Sequence, residues 1–538
     1  MGRREAVVVV LASAVLAVAL TYPMAFKIGR VGRVDNGDGQ LSIWNVAWVA
    51  RTLATDPRHV FDANIFYPNR NTLAYSENNL GAGVLAMPVY WLTRNPYAAH
   101  NSAVLFGLML SAIGMYYLVR YLTQDRRAAA ISAVCFAFCP FVFAHTPHIQ
   151  LLMTAGLPFS MLAAHRLIDR PTVGRGYELG LAMAAQALSC GYYGVFVVLM
   201  VGFSLIAFGA LRGLWRDRVF WLVVAVAALV SIAIVLPAFR PYVTLHRVGG
   251  FGRGLGEAGS WSANWSDYLA SGAYAHDWML GHLPRWVEVS FPGFVVSVFA
   301  VVGLWYARRE RRGSVALLYG AITLLAFWAS FGPDAGLYSV LYRSVPLFAW
   351  LRAPARFGLI VVFGLSVLSG IGVTAMLRRQ RHATTVAAVL FVVAVGEHAA
   401  PSSLRDVPEV EPVYRTLATM PAGPVIEMPF WYVEDMFPRH TYYMLQSTTH
   451  WMPLVNGYSD YIPPDFLATV DTAKFFPSRD AFRLLAPNHV RYAVFHMYWY
   501  NAENRADVIA RLRDFAPYLR QLYADDDTRL YEIVGTPP

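Results

Sequence analysis

Apolar runs of roughly 17 to 22 residues recur along the chain, each long enough to cross a hydrocarbon core of about 30 Å as a helix. They predict eleven spans, at 6–26, 103–122, 128–144, 151–167, 179–193, 195–211, 219–239, 294–307, 315–331, 357–377 and 384–395. The polar stretches between them alternate in character. One set is short and basic: Arg120, Arg126 and Arg127; Arg166, Arg170 and Arg175; Arg212, Arg216 and Arg218; Arg308, Arg309, Arg311 and Arg312; Arg378, Arg379 and Arg381. The other set is longer, richer in aromatics and poorer in arginine. The positive-inside rule assigns the basic set to the cytoplasm together with Arg3 and Arg4, which leaves the amino terminus inside and the carboxyl terminus outside.

Two of the outside loops are long, 27–102 and 240–292. In the first, residues 41–49 place apolar and aromatic side chains at helical spacing, with Trp44 and Trp48 four apart. This predicts a helix starting at Gln40. It either lies in the membrane interface, where indole rings are favoured, or packs against protein with no lipid contact. Residues 80–92 are broken by Gly81, Gly83 and Pro88 and predict a re-entrant or interfacial piece. The second loop opens on Gly249-Gly250-Phe251-Gly252-Arg253-Gly254, which no strand precedes, so a mobile loop is expected rather than a phosphate-binding fingerprint. Trp261, Trp265, Tyr268, Tyr274, Trp278 and Trp286 follow, fit for headgroups or for sugar rings.

After Pro401 the pattern shortens to strands at 424–428, 490–495 and 530–534 and a helix at 506–518. The expected fold is a polytopic α-helical membrane protein of about eleven spans. Residues 1–399 form the membrane domain, and residues 400–538 an extracytoplasmic α/β domain.

Composition agrees: 57% of the 538 residues are hydrophobic and 14% charged, far from the soluble average of about a quarter charged. Arginine supplies nearly all the basic charge, with Lys27 and Lys474 the only lysines, a usage that suggests a GC-rich bacterial genome and hence the bacterial inner membrane. The net charge of +10 does not mark a nucleic-acid binder. Residues 1–399 carry 32 Arg and Lys against 17 Asp and Glu, whereas residues 400–538 carry 12 against 17. The excess therefore flanks the spans, where topology explains it. Cys135, Cys139 and Cys190 all lie in apolar runs and define neither a disulfide framework nor a zinc site.

Candidate chemistry begins at Asp35-Asn36-Gly37-Asp38-Gly39-Gln40, just outside the first span. Asp38, with Asp35 as the alternative, is a candidate general base, and Gly37 and Gly39 let the backbone approach a ligand closely. A solvated Asx-Gly turn explains the same residues. In the stretch 346–357, Arg352 and Arg356 lie four apart at the outer mouth of a span, where the positive-inside rule disfavours them; phosphate binding or snorkelling accounts for that. His145 and His148 share a tight outside turn and are candidates for the same phosphate, or for a divalent cation that no further residue defines. Gln40, Glu77, Tyr192, Tyr193, Gln446 and His450 are weaker candidates for acceptor or sugar contacts. Glu427, Asn456, Tyr458 and Asp460 sit in a polar, aromatic stretch suited to an acceptor or to packing.

An aspartate after the first span, the helix from Gln40, the many spans and the outside carboxyl-terminal domain together resemble the fold type C glycosyltransferases. So do residues 346–357, 446–450 and 456–459, which look like stretches recurring in bacterial membrane proteins of this kind. The resemblance implies transfer of a sugar from a polyprenyl-phosphate donor to an extracytoplasmic glycan, lipid or protein, with the first-loop aspartate as base. Many members carry adjacent acidic residues there, whereas Asp35 and Asp38 are separated by Asn-Gly. The rival expectations are a transporter or flippase and a noncatalytic protein of envelope polysaccharide assembly. Span interiors nearly free of charge weigh against transport.

Overall fold

A computed structural model of the chain describes residues 2–250, 252–307 and 313–538. Phe251 and the arginines expected at 308–312 lie outside the described residues. Among those described, seven helices are long and apolar enough to cross a membrane: Pro96–Thr123, Arg126–Ala144, Ile149–Asp169, Gly191–Leu211, Arg218–Arg247, Gly313–Ser330 and Pro354–Leu377. The other four expected segments are also helical. Val173–Ser189, Phe294–Ala307 and Ala383–Glu397 are shorter, and Arg3–Leu20 opens on three charged residues.

The spans pack through small residues. In Val173–Ser189 a Cβ on Gly176 or Gly180 would meet the carbonyls of Val223 and Ala227 at 2.8 and 2.5 Å. Only glycine at that four-residue spacing lets the neighbouring helix approach so closely. Burial separates the middle from the rim. In the apolar window of Pro354–Leu377, 83% of residues are buried, against 17% for Arg218–Arg247. The first is the centre of the bundle, and the second lies at its rim, uncovered by the rest of the chain along most of its length.

Two local expectations need correction, and one open choice is decided. The helix expected to end at Phe239 runs from Arg218 to Gly249, through Pro237 and Pro241, so the second outside loop starts ten residues later. Leu80–Thr93 is one continuous helix despite Gly81, Gly83 and Pro88. Of the two readings of the first-loop helix, the packed one describes Gly37–Thr55: Trp44 is 1% and Trp48 7% exposed. Their indole N–H groups donate to Asn64 Oδ1 at 3.1 Å and Val60 O at 2.9 Å.

Beyond residue 400, a four-stranded sheet runs in the order Val425–Met428, Tyr492–His496, Thr528–Ile533, Leu519–Ala524, the first pair parallel and the others antiparallel. Leu519–Ala524 went unpredicted because it is an edge strand with a single buried position, Leu519, and no alternation of apolar and polar residues. The helix expected at 506–518 is Ala502–Asp514. The apolar core around this sheet is shared: Trp44, Trp48, Phe66 and Tyr75 pack in one cluster with Val425, Tyr443, Leu454 and Phe482. Asn64 fixes the junction, its Nδ2 donating to Ser447 Oγ and Met452 O, both at 3.1 Å. The first loop and the carboxyl-terminal region therefore form one body, and a cleft opens where it meets the spans.

Candidate active site

Asp38 sits in the first turn of Gly37–Thr55. Asn36 caps that helix by accepting the Gly39 N–H at 2.8 Å. The flanking glycines serve packing rather than a ligand: a Cβ on Gly39 would lie 1.9 Å from Arg33 O, and one on Gly37 3.0 Å from Pro438 Cβ. The Asp38 carboxyl lines the cleft with half its side chain exposed and stands 3.5 Å from His148 Nε2. Partial burial pushes its pKa above the ordinary carboxylate range, and the like charge of Asp460 adds to the push; Arg352 and Arg356 pull back without cancelling it.

Facing Asp38 across the cleft are Arg352 and Arg356. Arg352 lies between two short 3-10 turns, Pro346–Trp350 and Pro354–Phe357, and Arg356 belongs to the second, just before the central helix Gly358–Leu377. Tyr192 organises both. Its hydroxyl accepts the Arg352 backbone N–H at 2.8 Å, and its ring lies under the Arg356 guanidinium, 4.1 Å from Cζ to centroid. Arg352 pairs with Asp460 at 3.1 Å. Among the described residues, no carboxylate lies within ion-pair distance of Arg356.

Glu77 is held at the side of the cleft, where it accepts the N–H of Gly191 at 3.1 Å and so caps the helix Gly191–Leu211. Burial raises its pKa, while that hydrogen bond and Arg356 oppose the rise. Burial also lowers His148 to about 4, and the positive charge of Arg356 assists. A neutral imidazole donates or accepts a hydrogen bond beside Asp38 but brings no charge to a phosphate. The far wall is apolar: Phe239 stacks on Trp350 at 4.7 Å, and Tyr242 donates to Ser76 O at 2.7 Å.

Six of the twelve candidates thus meet in one cleft: Asp38, Arg352, Arg356, His148, Glu77 and Tyr192. The other six lie elsewhere. Asp35 turns away to pair with Arg33 at 3.1 Å; burial raises its pKa, but its hydrogen bonds and the Arg33 charge together leave it below the ordinary value. His145 engages Phe141 O and Glu288 through its two ring nitrogens. Gln40 bridges Val34 O to the Thr441 hydroxyl. Tyr193 is fully buried and donates to Leu151 O. Gln446 is buried beneath the helix carrying Asp38, and His450 accepts from the Met452 N–H and stacks parallel to Tyr414. Glu397 caps Phe294–Ala307 by accepting the N–H groups of Phe294 and Val295. Among the described residues, no three His, Cys, Asp or Glu side chains gather as metal ligands.

Asp460 and Tyr458 are cleft residues that the sequence left undecided between acceptor contact and packing, while Tyr242, Trp350 and Arg253 were not singled out for the site at all. The signal for Tyr242 and Trp350 was weak but present: aromatics at the end of an apolar span and beside the arginine pair.

A family model described as dolichyl-phosphate-mannose-protein mannosyltransferase matches residues 94–237. No curated protein matches the sequence. Among solved structures, the archaeal oligosaccharyltransferase AglB from Archaeoglobus fulgidus, in complex with an inhibitory peptide and a dolichol-phosphate, aligns over 98% of this chain and 74% of its own. The identity is 14% and the TM-score 0.51, a likeness of fold. ArnT from Cupriavidus metallidurans aligns at 14% identity in the apo state, over 99% of both chains with a TM-score of 0.48. Bound to undecaprenyl phosphate, it aligns over 100% of both chains, again at 14% identity, with a TM-score of 0.46. In sequence over residues 94–237 and in fold along its length, this multi-pass membrane chain resembles the fold type C glycosyltransferases, which use polyprenyl-phosphate-linked donors.

Proposed function

We propose that the protein transfers a sugar from a polyprenyl-phosphate-linked donor to a hydroxyl of an extracytoplasmic glycan, lipid or protein. The observation that carries this reading is the cleft itself, where a half-exposed aspartate with a raised pKa faces two arginines, one of them with no carboxylate partner among the described residues. Asp38 takes the proton from the acceptor hydroxyl as its oxygen bonds to the sugar's anomeric carbon. The bond from that carbon to the phosphate oxygen breaks, and its electron pair leaves with the polyprenyl phosphate. Arg352 and Arg356 hold that phosphate, the planar guanidinium matching its oxygens. The apolar wall of Phe239, Leu347 and Trp350 suits the start of the prenyl chain.

The topology belongs to the same proposal: eleven spans, amino terminus inside, residues 400–538 and the cleft on the extracytoplasmic face of a bacterial inner membrane. The short arginine-rich loops support it. The test is transfer by the purified protein from lipid-phosphate sugars. Asp38→Asn is expected to lower the rate at least about 100-fold, the scale of a lost general base, while Asp35→Asn stays near wild type. Full activity in a folded Asp38→Asn protein removes the base from the mechanism.

A further inference from the structure

Within the cleft Arg352 is engaged by a carboxylate. Its Nη2 lies 3.1 Å from Asp460 Oδ1, and both side chains stay partly open, 28% and 37% exposed. A carboxylate presents to the guanidinium the same charge and oxygen acceptors as a phosphate. It therefore occupies the place that a donor phosphate on Arg352 would take.

The backbone beside it is anchored. The Tyr461 N–H donates to Tyr75 O at 2.9 Å, and the Tyr461 ring stands edge-on to Tyr75 at 5.1 Å. Ser76 Oγ donates to the other Asp460 oxygen at 3.0 Å. Release of Arg352 thus requires a rotation of one side chain toward Ser76 and no movement of the loop.

We propose that Asp460 is the resident counter-ion of Arg352, a positioning residue that holds the guanidinium in place until the donor's phosphate displaces it and that sets donor affinity by competition. The proposal rests on the reading of this cleft as a donor site. A partly exposed ion pair of this kind is worth about a two- to fivefold change in binding.

The test measures binding of a short-chain prenyl monophosphate to the full-length protein in nanodiscs. Asp460→Asn and Asp460→Ser are expected to bind about two- to fivefold more tightly, Asp460→Glu to bind as wild type, and Arg352→Gln to bind more weakly. In the Arg352→Gln background, Asp460→Asn adds nothing. Unchanged or weaker binding by both neutral variants, with the thermal midpoint preserved, overturns the proposal. So does an equal gain in the Arg352→Gln background, which would make the effect one of general field. If Arg352→Gln leaves binding intact, or no variant binds at all, the donor-site reading falls and takes the proposal with it. If Arg352→Gln weakens binding and the neutral variants do not tighten it, only the counter-ion role falls.

Discussion

Tyr192 ties the two arginines together through separable contacts, so its substitution dissects the phosphate site. Tyr192→Phe keeps the ring under Arg356 and deletes the acceptor of the Arg352 backbone N–H. A lost hydrogen bond with the partner left partly buried costs about 1–3 kcal/mol. The cleft admits water, so the lower end applies, about a 5- to 10-fold loss of donor affinity. Tyr192→Leu also removes the cation–π contact, worth about 0.5–2 kcal/mol, for a further loss of about 2- to 30-fold. Donor binding by the purified protein in nanodiscs, with the KM for donor measured in parallel, reads both variants. Wild-type affinity in Tyr192→Phe, or an equal loss in Phe and Leu variants, refutes the assignment of the two contacts to the two arginines.

Asp38 acts only when deprotonated and its pKa is raised, so the acid limb of kcat/KM lies above the ordinary carboxylate range. Among the charged and titratable groups facing Asp38 (His148, Arg352, Arg356, Tyr458 and Asp460), Asp460 is the like charge, and Asp460→Asn moves that limb to lower pH; a fixed limb contradicts the coupling. His148 titrates near 4 when folded, below its ordinary value of about 6.5. The unfolded chain takes up the proton first, so stability is lost as pH falls from about 6.5 toward 4. His440 and His450 are lowered in the same way and share that window, so His148→Gln makes the slope shallower by one proton's share in thermal melts, and an unchanged slope excludes His148 as a contributor. Gly39→Ala forces a methyl to within 1.9 Å of Arg33 O and should cost about 1–3 kcal/mol, read as a lower thermal midpoint. A midpoint equal to wild type means the turn at Arg33 yields freely.

What the sequence made legible follows from how locally each property is encoded. Spans and arginine-rich loops are continuous in sequence, and the expected spans are largely helical, although 179–193 crosses a break at Cys190 between Val173–Ser189 and Gly191–Leu211. Asp38, Arg352 and Arg356 stood out because glycine-flanked acid and outside arginine are local anomalies. The cleft's other members come from separate segments, Glu77 and Tyr242 from two, Tyr458 and Asp460 from a third, and only the fold joins them. The packed helix was undecidable for a physical reason: Trp44 and Trp48 at helical spacing suit lipid headgroups and a protein cover equally, and the cover lies nearly 400 residues away. The span expected to end at Phe239 was set too short, since the polar residues that follow it, Arg240 among them, remain helical in Arg218–Gly249.

The core shared between the first loop and the carboxyl-terminal region has a consequence for biogenesis. Trp44, Trp48, Phe66 and Tyr75 leave the ribosome early, and their packing partners, from Val413 onward, follow some 340 residues later. At about 5–20 residues per second, that apolar surface waits roughly 20–70 s for its cover. During the wait it is a natural client for membrane-side chaperones. The cleft gains Tyr458 and Asp460 only when synthesis is nearly done, so a nascent chain carries Asp38 and both arginines before it has a finished site.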